Sequence, residues 1–196
     1  MSGASDAQMA DLEAYRQALL EGNAVMNLVG PESMNDYWRR HVLDSWQLLA
    51  MLDGARRIAD LGTGAGLPGV VLAIFMKGEP GSEILLVDSL AKRCRFLEGV
   101  VQNLALPARV VCARAEAASE KVDVITARAC APLSRLLTYA HPWMQKGAKA
   151  VFLKGARLDE ELRDARKGWH LDDEVRPSLS DGRGQIVLLR SARRVR

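Results

Sequence analysis

The segment Arg57-Ile-Ala-Asp-Leu-Gly-Thr-Gly-Ala-Gly-Leu-Pro-Gly69 constrains this chain more than any other. Ile58, Ala59 and Leu61 read as a short buried strand. Gly62, Gly64 and Gly66 read as a tight turn, and Val70, Val71, Leu72, Ile74 and Phe75 as an apolar helix behind it. Such a turn needs positive φ, which glycine reaches without a Cβ clash, and the missing Cβ lets a ligand lie against bare backbone. The helix N-terminus adds unpaired N–H groups and the positive end of a dipole. A nucleotide-like ligand fits such a turn.

The glycines run G-x-G-x-G, with Asp60 two positions ahead of them, whereas dinucleotide sites favour G-x-G-x-x-G with an acidic residue roughly 20 positions later. Asp88 closes the next strand, Ile84-Leu-Leu-Val-Asp88. A carboxylate ahead of the turn either accepts a hydrogen bond from a ligand amine or orders the turn through water. One at the end of the second strand can accept from both ribose hydroxyls. Together they resemble the S-adenosylmethionine (SAM) site of class I methyltransferases. A plain strand–helix turn would leave Asp60 unexplained.

The 196 residues suit one domain, in which residues 1–53 form an N-terminal helical cap and 54–196 a ligand-binding α/β core. With 48% hydrophobic and 26% charged residues, a soluble globular protein is expected. The sequence shows neither a bilayer-spanning run nor a secretory signal, so no membrane partner, a cytoplasmic location and a monomer are expected. Cys94, Cys112 and Cys130 are too scattered for a disulfide framework or a zinc site. The net charge of +3 is modest, but Arg190, Arg193, Arg194 and Arg196 crowd the C-terminus.

In the cap, residues 5–21 read as a helix capped by Ser5, with Leu12, Tyr15, Leu19 and Leu20 on one face. Ser33 is placed to cap a second helix presenting Tyr37, Trp38, Val42, Trp46 and Leu49. Beyond the glycine turn, strands at 84–88, 108–112, 122–126 and 148–153 alternate with helices near 90–104, 132–139 and 158–167. This pattern predicts a parallel sheet with helices on both faces. Segments 169–175 and 185–190, joined through a turn at 180–184, supply an antiparallel edge. Ligands bind beyond the carboxyl ends of such strands. Those ends carry Asp60 and the glycines, Asp88, Arg114-Ala115-Glu116, Arg128 and Lys154. Ala115 and Glu116 could flank an adenine, or Glu116 could merely favour a helix first turn. For Arg128 the structural alternative is a salt bridge across the sheet end.

Longer matches lie in Asn27-Leu-Val-Gly30, Arg40-His41 with Leu43-Asp-Ser45, Asp60 to Gly69, Leu86-Val-Asp88 with Lys92-Arg93, Arg114-Ala-Glu116, Thr126-Ala-Arg-Ala129 with Ala131-Pro-Leu133, and Leu153-Lys-Gly155. Through these the chain resembles the bacterial glucose-inhibited-division protein B family, the small-subunit ribosomal RNA guanine-N7 methyltransferases G. Arg-His-x-x-Asp-Ser is the most discriminating stretch. The resemblance implies a Rossmann-like class I fold, SAM as methyl donor, and a guanine in a loop of 16S rRNA as acceptor, in naked RNA or a small-subunit particle. It implies that Gly62, Leu67, Ala115, Glu116 and Arg128 line the SAM site beside Asp60, Gly64, Gly66 and Asp88. Cys130 and Leu67 depart from the commonest family residues.

Guanine N7 has an in-plane lone pair and no proton, so its methylation needs alignment rather than a base or a covalent intermediate. Arg128 then serves in positioning. Methylation of an exocyclic amine usually comes with an Asn/Asp-Pro-Pro-aromatic loop; this chain has Thr126-Ala-Arg-Ala-Cys-Ala-Pro132 instead. Cys130 could be the nucleophile of cytosine methylation, but without an evident activator it reads better as packing. Candidate RNA contacts are Arg39, Arg40, His41, Lys92, Arg93, Lys154, Arg193 and Arg194, with Trp38 and Trp46 as stacking platforms. For His41 a structural hydrogen bond between helix and sheet is the simpler role. A small-molecule methyltransferase, an NAD-dependent oxidoreductase and a non-catalytic nucleotide-binding module are the competing readings.

Overall fold

The computed structural model describes residues 3–195. Arg196 of the C-terminal arginine group lies outside them. Helix α1 (Asp6–Asn23) opens with the expected cap: the Ser5 hydroxyl accepts from the Gln8 amide at 3.2 Å while the Gln8 side chain accepts from the Ser5 amide at 2.9 Å. Leu12, Tyr15, Leu19 and Gly22 form its buried face, and Leu20 points outward instead.

The second cap helix departs from expectation. Helix α2 (Pro31–Met34) spans a single turn, and Ser33 lies inside it, its hydroxyl donating back to the Gly30 carbonyl at 2.6 Å, so Ser33 caps nothing. The chain then widens into π geometry over Trp38–Leu43, passes through α3 (Asp44–Trp46) and tightens into a 3₁₀ turn over Gln47–Met51. Widening adds a residue to the turn and rotates the inward face. Tyr37, His41, Val42, Ser45 and Leu48 are buried, while Trp38, Trp46 and Leu49 are not fully enclosed.

The core is one seven-stranded sheet of β1 (Arg57–Leu61), β2 (Glu83–Asp88), β3 (Ala108–Cys112), β4 (Val124–Arg128), β5 (Lys149–Lys154), β6 (Trp169–Pro177) and β7 (Gln185–Arg194). The order is β3-β2-β1-β4-β5-β7-β6. Strands β1 to β5 are parallel, and β7 runs antiparallel between β5 and β6, as the alternation and the closing pair anticipated. The order reverses between β1 and β4, so a crevice opens beyond the carboxyl end of β1. Helices α4 (Gly69–Phe75) and α5 (Ala91–Asn103) join the cap in one hydrophobic layer with Ile58, Ile84, Leu86, Val124 and Val151. Helices α6 (Leu133–Met144) and α7 (Leu158–Ala165) pack with Ala59, Leu61, Leu85, Val87, Ile125 and Phe152. Strands buried on both faces read as continuous apolar runs, which is why the sequence located them.

Several boundaries differ from expectation, two of them with a clear cause. β4 begins two residues late because Asp123 is used elsewhere: its carboxylate accepts from the Arg56 and Arg57 amides, both at 2.9 Å, and fixes the start of β1. α6 runs on through Pro142, since Trp143 beyond it is fully buried. No helix among the described residues is long and apolar enough to cross a membrane.

The cap grips the glycine turn directly. The Tyr15 hydroxyl donates to the Ala65 carbonyl at 2.8 Å, and Tyr37 in turn donates to the Leu12 carbonyl of α1 at 2.9 Å. Gly66, at φ +105, leaves no room between them: a Cβ would sit 2.6 Å from Val70 Cγ2, 2.9 Å from Leu97 Cδ2 and 3.0 Å from the Tyr15 hydroxyl. Gly66→Ala should cost about 3 kcal/mol or more through strain and overpacking. Gly99→Ala, in the open interior of α5, should instead stabilise by about 0.5–1 kcal/mol. Denaturant midpoints of the two variants check both signs.

Candidate active site

Asp60 is fully buried, and donors occupy both of its oxygens. Oδ2 accepts from the Thr63 hydroxyl at 2.6 Å and the Gly69 amide at 2.9 Å; Oδ1 accepts from the Thr126 hydroxyl at 3.0 Å. It thus ties the end of β1 to the turn, to the first residue of α4 and to β4. Of its two sequence readings, ordering the turn is the one realised, and it does so directly. A residue with no exposed surface has none to offer a ligand amine. Gly69 must lack a side chain here, since a Cβ would lie 2.4 Å from Leu86 Cδ2 and 2.9 Å from Asp60 Oδ2.

The turn itself divides into packed and open positions. Gly62 lies under Cys130, whose Sγ would be 2.4 Å from a Cβ at Gly62, and Gly66 is enclosed as described. A Cβ at Gly64, by contrast, would have nothing nearer than the Gly62 carbonyl oxygen at 3.8 Å. Gly64, at φ +60, is therefore the point where a ligand can approach bare backbone. Its amide donates to Asp88 Oδ2 at 3.0 Å, and Asp88 Oδ1 accepts from the Leu90 amide at 2.9 Å. The Ala113 amide reaches the Asp88 carbonyl at 3.0 Å, which brings the 113–116 turn beside that carboxylate. Ala115 is half-buried and its carbonyl accepts from the Trp143 indole at 2.7 Å; Glu116 is exposed. Open backbone, a carboxylate at the end of β2 and a short turn at the end of β3 fit a nucleoside with its ribose over Asp88. The Leu67 side chain is buried in the cap-side core, so only its backbone faces the turn.

Arg128 ends β4 and reaches into the cap. Nη1 donates to the Arg40 carbonyl at 2.8 Å and to Asp44 Oδ2 at 3.1 Å, and Nη2 lies 3.1 Å from His41 Nδ1. A guanidinium can only donate, so Nδ1 is the acceptor and Nε2 carries the proton. Nε2 then donates to the Ser33 hydroxyl at 3.0 Å, which donates to Gly30. The Ser45 hydroxyl donates to the His41 carbonyl at 2.7 Å, and Asp44 Oδ1 accepts from the Ser180 hydroxyl in the β6–β7 turn. His41, Asp44, Ser45 and the Arg40 carbonyl are thereby accounted for, and the Arg40 side chain is not: these groups build the socket for Arg128. The structural alternative for Arg128 is realised, and His41 is the helix-to-sheet hydrogen-bonder anticipated for it.

A cleft of about 1220 Å³ opens beside this socket, lined by the cap, the 128–132 loop, the β5–α7 turn and the β6–β7 turn. Several of the residues expected to contact RNA have partners within the protein. Lys154 is largely buried, 2.6 Å from Glu161 and 2.9 Å from the Ala131 carbonyl. Arg39 pairs with Asp36, Lys92 donates to the Val25 carbonyl at 2.8 Å, and Arg93 lies 3.6 Å from Asp88. Trp46 packs edge-on against Phe75. Arg190, Arg193 and Arg194 belong to β7. Arg190 pairs with Asp172 and Glu174, and Arg194 stacks over Trp169. Because Gln185 pairs with Lys154 at the site end of β5, Arg193 and Arg194 lie at the opposite end of β7. Arg40 stays exposed on the cleft. Sequence reasoning missed Thr63, Thr126, Gln47 and Ser180. Hydroxyl and amide residues of this kind carry no spacing signal of their own, although Asp44 and Ser45 were already visible in the motif.

Solved structures with the same architecture include an O-methyltransferase from Bacillus cereus in complex with SAH, at TM-score 0.62 and 15% identity, covering 96% of this chain and 93% of that one. A SAM dependent methyltransferase from Aquifex aeolicus matches at TM-score 0.60 and 14% identity, covering 86% and 97%. The fold is that of the class I methyltransferases. A family model described as rRNA small subunit methyltransferase G (GidB) matches residues 8–187. The chain is 52% identical over 194 residues to Ribosomal RNA small subunit methyltransferase G of Caulobacter vibrioides (strain NA1000 / CB15N), spanning 99% of this chain and 90% of that protein. It is 42% identical to the protein of that name from Paramagnetospirillum magneticum, spanning 100% and 94%. The chain belongs to the rRNA small subunit methyltransferase G family.

Two buried titratable groups of the site, His41 and Asp60, oppose each other. Burial, reinforced by the charges of Arg128 and Arg40, pushes His41 from 6.5 down to about 4. The unfolded chain takes up this proton first, so the His41 contribution to stability is complete above pH 6.5 and is lost as pH falls through about 4. Burial pushes Asp60 from 3.8 up to about 6, against the pull of its three donors. Its contribution is complete below pH 3.8 and is lost as pH rises through about 6. On lowering the pH from 6.5 toward 4, His41→Asn should gain stability relative to the parent chain, and Asp60→Asn should lose it. Urea unfolding at several pH values measures this; parallel profiles for all three proteins would show that neither group's pKa differs between the folded and unfolded states.

Proposed function

We propose that this protein transfers the methyl group of SAM to N7 of a guanine in a loop of 16S ribosomal RNA, directly and without a covalent enzyme intermediate. SAM supplies a methyl group made electrophilic by its sulfonium. Gly64 and its neighbours would hold the cofactor against backbone, Asp88 would accept from the ribose hydroxyls, and Ala115 and Glu116 would border the base. The target base enters from the cleft side, across the 128–132 loop.

The observation that carries this reading is the state of the side chains facing that loop. His41 is neutral at physiological pH, with one ring nitrogen given to Arg128 and the other to Ser33. Burial and the charges of Asp60 and Asp88 push the Cys130 thiol up, and its Sγ packs on Gly62. A thiol held protonated is a poor nucleophile, and a histidine with both nitrogens engaged is a poor base. An acceptor that brings its own lone pair and releases no proton suits this site. Guanine N7 is such an acceptor. Arg128, held by the cap, positions the 128–132 loop between donor and acceptor.

The test is incubation with methyl-tritiated SAM and small subunits or 16S rRNA lacking the modification, followed by nucleoside analysis. Label should appear in 7-methylguanosine. Arg128→Ala should lower kcat/KM by about 100-fold, a loss of roughly 2.7 kcal/mol in transition-state stabilisation. Cys130→Ala should stay within about fivefold of the parent, whereas loss of a covalent nucleophile typically costs 10³-fold or more. Label in 5-methylcytosine, abolished by Cys130→Ala, would overturn the reading.

A further inference from the structure

The cations around the cleft fall into two sets. Arg39, Arg128 and Lys154 are neutralised by Asp36, Asp44 and Glu161 at 2.7, 3.1 and 2.6 Å. Asp181 is the remaining carboxylate of the lining, and its Oδ1 accepts from the Arg183 backbone amide at 2.9 Å, holding the turn. Arg40, Arg157 and Arg183 also line the cleft; all three are exposed, and among the described residues none is ion-paired. They come from three separate segments: the cap, the β5–α7 turn and the β6–β7 turn.

Their placement is fixed from beneath. The Arg40 carbonyl is held by Arg128 at the end of β4. Arg157 directly precedes α7 in the turn that leaves β5. Arg183 sits in a turn pinned to the cap by three contacts: Gln47 Nε2 donates to the Ser178 hydroxyl at 2.9 Å, the Leu179 amide donates to Gln47 Oε1 at 2.7 Å, and Ser180 donates to Asp44. β4, β5 and β7 are consecutive in the sheet, so these segments fan out over roughly 10 Å at strand spacings of about 4.8 Å. The three guanidiniums therefore arise from separate points along the end of the sheet. Guanidinium groups take phosphate oxygens bidentately, and anchored supports reduce the ordering cost of doing so.

We infer that Arg40, Arg157 and Arg183 form a clamp for successive backbone phosphates of the RNA strand that presents the target base, an assignment resting on the RNA reading above. Arg157 and Arg183 carry no motif, and neither was visible as a candidate in the sequence. Lys92, Arg93, Lys154, Arg193 and Arg194, which were, have structural partners or lie away from the cleft. The clamp spans the cap, the parallel core and the antiparallel edge. This gives the β6–β7 turn a substrate-facing purpose, and with it the Gln47 and Asp44 contacts that hold that turn.

The full-length chain and its Arg40→Gln/Arg157→Gln/Arg183→Gln variant are compared for RNA binding and methyl transfer over a range of salt concentrations. Each single-strand phosphate contact contributes about 0.7 to the slope of log K against log salt, so the triple variant should lose about 2 units of slope. Its KM for RNA should rise roughly 10-fold or more, while SAM affinity by calorimetry stays within about twofold. An Arg193→Gln/Arg194→Gln variant, with charge removed at the far end of β7, should keep a slope within about 0.5 of the parent. A parent that methylates rRNA, alongside a folded triple variant with unchanged slope and KM, would overturn the clamp and leave the RNA reading standing. Failure of the parent to methylate rRNA at all would overturn both.

Discussion

A single buried carboxylate holds the site together. Asp60 receives a hydroxyl from the turn, an amide from the first residue of α4 and a hydroxyl from β4. The central strand, the glycine turn, the helix behind it and the neighbouring strand thus share one anchor. Burying the charge is unfavourable, as the raised pKa records, and three donors offset it. The arrangement tolerates no bulk: Gly69 touches the carboxylate, and Gly66 touches the cap. The glycines of the motif therefore serve different ends. Some are where the protein packs against itself, and Gly64 is where it leaves room for something else.

The cap is part of the site. It meets the turn through Tyr15 and the end of β4 through His41, Asp44 and the Arg40 carbonyl. Across the π-geometry stretch and its flanks, Tyr37, His41, Ser45 and Leu48 form the inward face, and Trp38 and Trp46 stay at its margin. A hydrogen-bond chain runs through this stretch from Arg128 to His41, Ser33 and Gly30, and from Asp44 to Ser180. Arg-His-x-x-Asp-Ser is the sequence form of that chain.

Charge is divided between architecture and surface. Most basic residues that looked available are engaged, either in ion pairs or in bonds to backbone carbonyls. Exposed pairs such as Arg190 with Asp172 and Glu174 contribute little stability but set the edge pairing of β6 and β7. A net charge of +3 understates the cleft, because its free cations are concentrated where its carboxylates are consumed. Electrostatic recognition depends on such local imbalance more than on the total.

The sequence alone determined the strand–helix alternation, the parallel core with its antiparallel edge, the turn at Gly62 to Gly66 and the two carboxylates around it. Those features are local: apolar runs, glycines at fixed offsets and a carboxylate at a strand end follow from steric and burial rules acting over a few residues. The family resemblance was legible for the same reason, since its motifs are contiguous. The sequence did not determine which polar groups are spent inside the protein. That Asp60 has no surface for a ligand, that Lys154 is consumed by Glu161 and that the C-terminal arginines continue a strand away from the cleft are all long-range facts. So is the convergence of Arg40, Arg157 and Arg183, which lie more than 100 residues apart along the chain at the extremes and meet only where the sheet sets their segments side by side. Tertiary structure decided these points because a side chain's availability is set by its neighbours in space, and a hydrogen-bond partner contributed by another element leaves no trace in the local pattern.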